Sequence, residues 1–285
     1  MMTRSIACAL LTMLGTLSAA AADTKVTVSP ATVRPGDPVL VTVTGTTEQP
    51  KGTQNGVALE FFPARVGYQA VFAVPLDAKP DTISVEIQSA VRLASVKVTA
   101  TTFPESKLIV EDELASPPKA DRDRIDADNA AIIAAAAKAK RDPQFVRPFR
   151  RPPGEVTSVF GEWRTFNDGH RAQHLGLDLA AREGSPVAAI DDGIVALVRD
   201  TFLAGTVVVI SHGGGISSLY FHLSKVSVAE GDTVTQGKEI GRAGHTGRTT
   251  GPHLHVSIHV PGGLVDPTTF FKLNLVPATT KVSRK

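Results

Sequence analysis

The sequence predicts a mainly β protein, with an N-terminal immunoglobulin-like β-sandwich, a linker helix and a C-terminal β-rich domain. Three observations carry this reading. Residues 24 to about 112 break into short alternating segments with turn signals between several of them. Residues 113–150 become Ala-rich between prolines. From about Glu155 the chain is strand-like again and rich in glycine, with no long amphipathic helix.

The N-terminal segments are KVTVS, PVLVTVTG, VALEFF, YQAVFAV, TISVEIQ, SVKVTATTF and KLIVE, with turns such as Pro35-Gly36-Asp37 and Lys79-Pro80-Asp81 between them. About seven strands at this spacing predict an antiparallel sandwich over 23–112. This part holds no histidine and no cluster of acids, so it reads as a packing or binding module. In 113–150 the run after Pro117-Pro118 ends at Pro143. Alanine is the strongest helix former, so a helix of about five turns is expected. Its apolar residues are mostly alanine, which leaves only a thin face to bury, as befits a spacer. In the remaining domain, 151–275, Gly213 to Gly215 separate two apolar alternating runs and supply the positive φ angles of a tight hairpin. The closing 276–285 is a basic tail.

At 285 residues the chain suffices for about two domains. Its net charge of +2 is spread along the chain, which excludes a polyanion-binding block and with it a nucleic-acid partner. Residues 1–22 are expected to be a cleaved export signal, with a positive start, a short apolar run and Ala20-Ala21-Ala22 before Asp23. That run is too short to stay inserted in a membrane. Cys8, the only cysteine, lies inside it, with too little apolar sequence ahead of it for a lipid anchor. The exported chain then holds no cysteine, so a transition-metal site must be built from histidines and carboxylates.

All eight histidines lie between 170 and 259, a clustering that points to a metal or acid–base site. In HLGLDLA, His174 and Asp178 share the polar face, and the bend that Gly176 permits would bring them together. His253 and His255 flank Leu254 after Pro252, so both imidazoles face one side of a strand. Such a pair supplies two metal ligands, or one ligand and one acid–base group; spacing leaves both open. His222 lies on the second arm of the glycine hairpin, where alternation puts it with Tyr220 and Ser218, opposite Leu219, Phe221 and Leu223.

Together, FGEWR, HLGLD, GSPVAAIDDGIV, GTVVVISHGGGISSLYFHLS and GRAGHTGRTTGPHLH resemble the LytM/lysostaphin-type zinc metallopeptidases over about residues 155–271. The resemblance implies an antiparallel β groove fold of barrel-sandwich type and one Zn²⁺ held by His174, Asp178 and His255. It assigns the remaining active-site histidines to His222 and His253, one taking a proton from the attacking water and the other stabilising the oxyanion or protonating the leaving amine. With the export signal, it further implies peptide bonds of bacterial cell-wall peptidoglycan as substrate, and a periplasmic location, with secretion or association with the cell wall as the alternatives. His245, Thr249, Arg164 and Asn167 are candidates for groove or substrate contacts. His170 reads as a solvated loop residue and His212 as a local packing residue. His259 shares the parity of His253 but lies ~20 Å further along the strand, outside any common metal sphere. Ser257 stands where the family often has an acid, which touches the ligands' outer partners rather than the ligands.

Two other classes compete. A catalytically silent relative, binding peptidoglycan or activating an amidase, would have lost zinc ligands, whereas all five expected positions are filled. A lipoyl- or biotinyl-type carrier would need an exposed Met-Lys hairpin, which the sequence lacks.

Overall fold

A computed structural model describes residues 24–88, 92–139 and 142–278. The expected export signal and the basic tail beyond residue 278 lie outside the described residues.

The N-terminal sandwich forms. One sheet runs Lys25–Ser29, Pro38–Thr44, Tyr68–Ala73, Phe62–Pro63, and the other Thr32–Val33, Arg92–Val98, Asp81–Ile87, Gly52–Gln54, Val57–Ala58. Strand alternation divides the first sheet's residues between two interiors. Val39, Val41, Val43 and Phe72 pack inside the sandwich with Val85 and Val96. Leu40, Val71 and Ala73, on the opposite face, pack with the C-terminal half. The last expected strand departs from the reading. Glu105–Leu108 pairs in parallel with Trp163–Phe166, beginning where Trp163 N–H donates to Pro104 O at 2.8 Å. Its alternation marks a strand but carries no information on its partner, and the sandwich sheets are complete without it.

The expected helix covers Arg122–Ala137, sixteen residues, and is no free spacer. Its buried residues Asp128, Ile132, Ala135 and Ala136 form the thin stripe that its composition allows. Ile132, Ala135 and Ala136 pack on Val207, Val209 and Leu219 of the large sheet. Asp128 fixes the helix from beneath: it accepts from Arg199 Nε at 2.8 Å and from the Phe202 N–H at 3.0 Å. Ser217 Oγ donates to Ala136 O at 2.8 Å, satisfying a carbonyl near the helix end.

The large sheet is antiparallel, in the order Val156–Ser158, Leu177–Ala180, His253–Val260, Ile216–Leu223, Gly205–Gly213, Gly193–Thr201, Thr233–Val234. At the hairpin, Gly214 and Gly215 have φ of 60° and 77°, the left-handed pair that a two-residue turn requires. A small sheet of Glu105–Leu108, Trp163–Phe166 and Arg171–Gln173 stands beside the large one. No helix among the described residues is long and apolar enough to cross a membrane.

The two halves share an interior. Phe62 of the sandwich meets Phe145 edge-on at 5.5 Å, Phe145 meets Phe149 at 4.9 Å, and Phe149 meets Phe270 at 5.1 Å. Backbone bonds Ala73 N–H to Pro261 O and Asp266 N–H to Gly36 O, both between 2.8 and 2.9 Å, cross the same boundary.

Deep in the C-terminal half, His212 bonds through Nδ1 to Asp192 O at 2.8 Å and through Nε2 to Ser218 Oγ at 2.7 Å. Beside it, Asp191 is fully buried with Oδ2 unpartnered, and burial pushes its carboxyl up to about 7 from 3.8. Below pH 4 this group is neutral in folded and unfolded chains alike. Between pH 4 and 7 only the unfolded chain ionises it, so stability falls as pH rises. Asp191→Asn should therefore gain in thermal midpoint relative to the parent as pH rises from 4 to 7, with no further gain above 7.

Candidate metal centre

The site lies where Leu177–Ala180 pairs with His253–Val260, in the register Asp178 to His255. Facing residues across an antiparallel pair put their side chains on one face, which sets the carboxylate against the imidazole. His174 enters from the segment before Gly176, fixed by its own backbone: His174 N–H donates to Glu162 O at 2.8 Å, and Gly161 N–H to His174 O at 2.7 Å. The chain bends at Gly176, and His174 Nε2 arrives 3.1 Å from Asp178 Oδ1. His255 Nδ1 is 2.8 Å from that oxygen and 2.9 Å from His174 Nε2.

Three lone-pair atoms thus converge as a group that could hold a metal ion. Donors bound tetrahedrally at ~2.0–2.1 Å stand ~3.3 Å apart. The three observed separations, 2.8–3.1 Å, are close to that triangle. The outer hydrogen bonds leave the right nitrogens free. His174 Nδ1 donates to Val159 O at 2.8 Å, which leaves Nε2 with its lone pair. Ser257 Oγ donates to Leu175 O at 2.7 Å, so at 3.0 Å it accepts from His255 Nε2–H, and His255 Nδ1 keeps the lone pair. The serine in place of an acid thus still orients the histidine.

Asp178 Oδ2 accepts from Arg164 Nη2 at 2.6 Å, and Arg164 also donates to Ser158 Oγ at 2.7 Å. Burial alone would raise the Asp178 carboxyl, but any proton it would take up is held instead on the facing nitrogen of one of the two imidazoles, whose hydrogen bond and positive charge keep the carboxyl well below the ordinary carboxylate range. Burial pushes His255 down to about 4 despite Asp178.

His222 and His253 flank the group. His222 Nδ1 donates to Thr246 O at 2.8 Å and His253 Nδ1 to Gly251 O at 2.8 Å, so each presents Nε2 as an acceptor. Their ring centroids are 5.0 Å apart, and His253 Nε2 is 3.5 Å from Asp178 Oδ1. His222 does not follow strand alternation. It has φ 60°, and the register shifts beside it between Thr206 and Val208, which turns its ring away from the Tyr220 face. It lines the site with Leu219 and Phe221, and the Phe221 ring stands edge-on to His255 at 4.8 Å.

A cavity of about 1190 Å³ contains this group and continues toward the Arg122–Ala137 helix. Of the candidate groove residues, Thr249 and Arg164 line it, Arg164 with its guanidinium already on Asp178. His245 and Asn167 do not. His245 is exposed, its Nδ1 3.2 Å from Glu183 Oε2. Asn167 ties two segments together, donating to Asp112 Oδ1 at 2.8 Å and accepting from Val110 N–H at 3.2 Å. His170 is exposed, stacked 6.1 Å from Phe166. His212 and His259 are buried away from the cavity. The sequence reading missed Ser158, Glu162 and Arg248, all of which line the cavity. FGEWR contained Glu162, GRTTG contained Arg248, and Ser158 stands two residues before FGEWR, but nothing in their spacing linked them to the histidines.

Fold and site define a β-groove domain with a two-histidine, one-aspartate centre. Residues 172–267, about a third of the chain, match the model of Peptidase family M23. The chain is 42% identical over 151 residues to the peptidoglycan DD-endopeptidase ShyA of Vibrio cholerae, covering 51% of this chain and 34% of that protein. It is 44% identical over 96 residues to the DD-carboxypeptidase/endopeptidase Mpg of Neisseria meningitidis, covering 34% of this chain and 22% of that one. The chain thus spans about a third or less of the length of these relatives. A Pseudomonas aeruginosa protein assigned to peptidase M23 superposes with a TM-score of 0.63 at 27% identity, over 83% of this chain and 93% of that one.

A Cβ on Gly176 would lie 2.7 Å from Ser257 Oγ and closer still to His255 Nε2. Gly176→Ala should displace the His255 ring and lower metal uptake by the folded chain, as read by metal analysis after dialysis. Ser257→Ala removes the hydrogen bond to His255 Nε2–H together with the one donated to Leu175 O. Competition against a chelator should show affinity reduced by about 10–100-fold.

Proposed function

We propose that this chain is an exported zinc-dependent endopeptidase that hydrolyses peptide bonds in peptidoglycan. The observation that carries the reading is the convergence of His174, Asp178 and His255, with His222 and His253 opening onto the same cavity. The relatives' descriptions as peptidoglycan DD-endopeptidase and DD-carboxypeptidase/endopeptidase support a bond between D-residues. That substrate places the action outside the cytoplasm, consistent with the export signal read at residues 1–22 and with the periplasm as its location.

His174 Nε2, Asp178 Oδ1 and His255 Nδ1 would hold the zinc. When bound, the ion acts as a Lewis acid toward the peptide carbonyl and lowers the pKa of a water to about 7. The chain's own residues manage the protons. Burial and the neighbouring imidazoles push His222 down to about 3, so it rests neutral with Nε2 able to accept a proton. His253 offers a second acceptor, its Nε2 3.5 Å from Asp178 Oδ1. One ring accepts the proton of the attacking water, and a protonated ring donates to the leaving amine or to the developing oxyanion. The filled ligand set argues against a catalytically silent scaffold.

Purified 23–285 incubated with sacculi and zinc should release peptide-cleaved fragments detectable by mass spectrometry. A chelator should stop the release and added zinc restore it. His222→Ala and His253→Ala should each lower the rate by about 10²–10⁴-fold while the chain stays folded and metal-loaded. Folded, zinc-loaded chain that binds sacculi and releases nothing would overturn the proposal.

A further inference from the structure

Arg248 is a cation in the groove with no carboxylate at ion-pair distance among the described residues. It lies on the loop between Glu239–Arg242 and His253–Val260, which is held rigidly. Arg248 N–H donates to Leu203 O at 2.7 Å, and Gly247, at φ 73°, packs against the Gly205 backbone with no space for a Cβ. Thr246 Oγ1 accepts from Thr206 N–H and donates to Leu223 O, each at 3.0 Å, and the Thr246 carbonyl orients His222. The loop that positions an active-site imidazole therefore also fixes Arg248.

The guanidinium lies over the Phe166 ring, 4.3 Å from its centroid, and lines the same cavity as His222 and His253. The ring covers one guanidinium face and orients the fork without satisfying its N–H groups. Among the described residues, the neighbouring Arg164 is bonded to Asp178, while no carboxylate comes within ion-pair distance of Arg248. Burial and the like charge of Arg164 both work against the cation, with Asp168 partly offsetting them. A half-buried guanidinium held under those conditions is matched to an anion brought from outside, and its planar fork suits a carboxylate.

We propose that Arg248 recognises a free carboxylate of the substrate peptide, adjacent to the bond that is cleaved. This rests on the peptidase reading above and adds to it a requirement on the substrate. An acid on the residue next to the scissile bond would pair with Arg248, while the amidated peptide would leave the guanidinium unpaired.

The test uses an N-acylated D-alanyl-D-alanine peptide as its free acid and as its carboxamide. Binding of each to zinc-loaded 23–285, Arg248→Met and Arg248→Lys is measured by calorimetry, alongside hydrolysis. Methionine keeps an unbranched stem against Phe166 and removes the charge. Wild type should bind the acid about 10–100-fold tighter than the amide, the range expected for a charge-assisted hydrogen bond. Arg248→Met should erase that ratio with little change for the amide, and Arg248→Lys should keep part of it. Equal binding of acid and amide by wild type overturns the proposal, and so does a ratio that survives in Arg248→Met. A ratio that responds to Arg248 in a chain that hydrolyses neither peptide would support carboxylate recognition and overturn the peptidase reading alone.

Discussion

Two imidazole nitrogens and a carboxylate oxygen are held within 3.1 Å of one another in a buried site, and the local architecture exists to keep them there. Such atoms, all presenting lone pairs, have no reason to approach unless a proton or a cation lies between them. The outer partners decide which nitrogens turn inward: Val159 O for His174, Ser257 for His255, and Arg164 for the far oxygen of Asp178. Each partner lies on a different segment. The centre therefore depends on the small sheet, the large sheet and the bend at Gly176 being assembled together.

Much of this was legible in the residues. Two-residue periodicity placed His253 and His255 on one strand face, and glycine chemistry placed the hairpin. The clustering of all histidines after residue 169 located the functional half. What escaped the sequence was non-local or depended on a broken pattern. KLIVE alternates like a sandwich strand, yet partner choice is decided by which edge lies free when the chain arrives. His222 violates alternation because a single left-handed residue redirects it. Arg248 escaped notice because a guanidinium in a Gly/Thr loop ordinarily faces water; only the walls around it give meaning to the absence of a carboxylate at ion-pair distance among the described residues.

The helix at Arg122–Ala137 shows how a poor amphipathic sequence still docks. Its stripe is mostly alanine, so apolar burial is small, and a buried acid takes over part of the anchoring. Asp128 is 3% exposed and receives a guanidinium and a backbone N–H. Removing one partner of such a pair leaves a buried charge uncompensated, which costs more than the pair itself contributes. Through this contact the helix becomes a wall of the cavity that holds the His174–Asp178–His255 group rather than a tether between halves.

The phenylalanine chain from Phe62 through Phe145 and Phe149 to Phe270 gives the protein a single interior across what the sequence divides into modules. A strand of the sandwich is covered on both faces, one by the opposing sheet and one by the C-terminal half. Neither half has a finished surface there without the other. The sandwich is thus closer to a missing slab of the C-terminal half's own core than to a separately attached module. Shuffling the C-terminal segment onto another protein would carry an open hydrophobic seam with it.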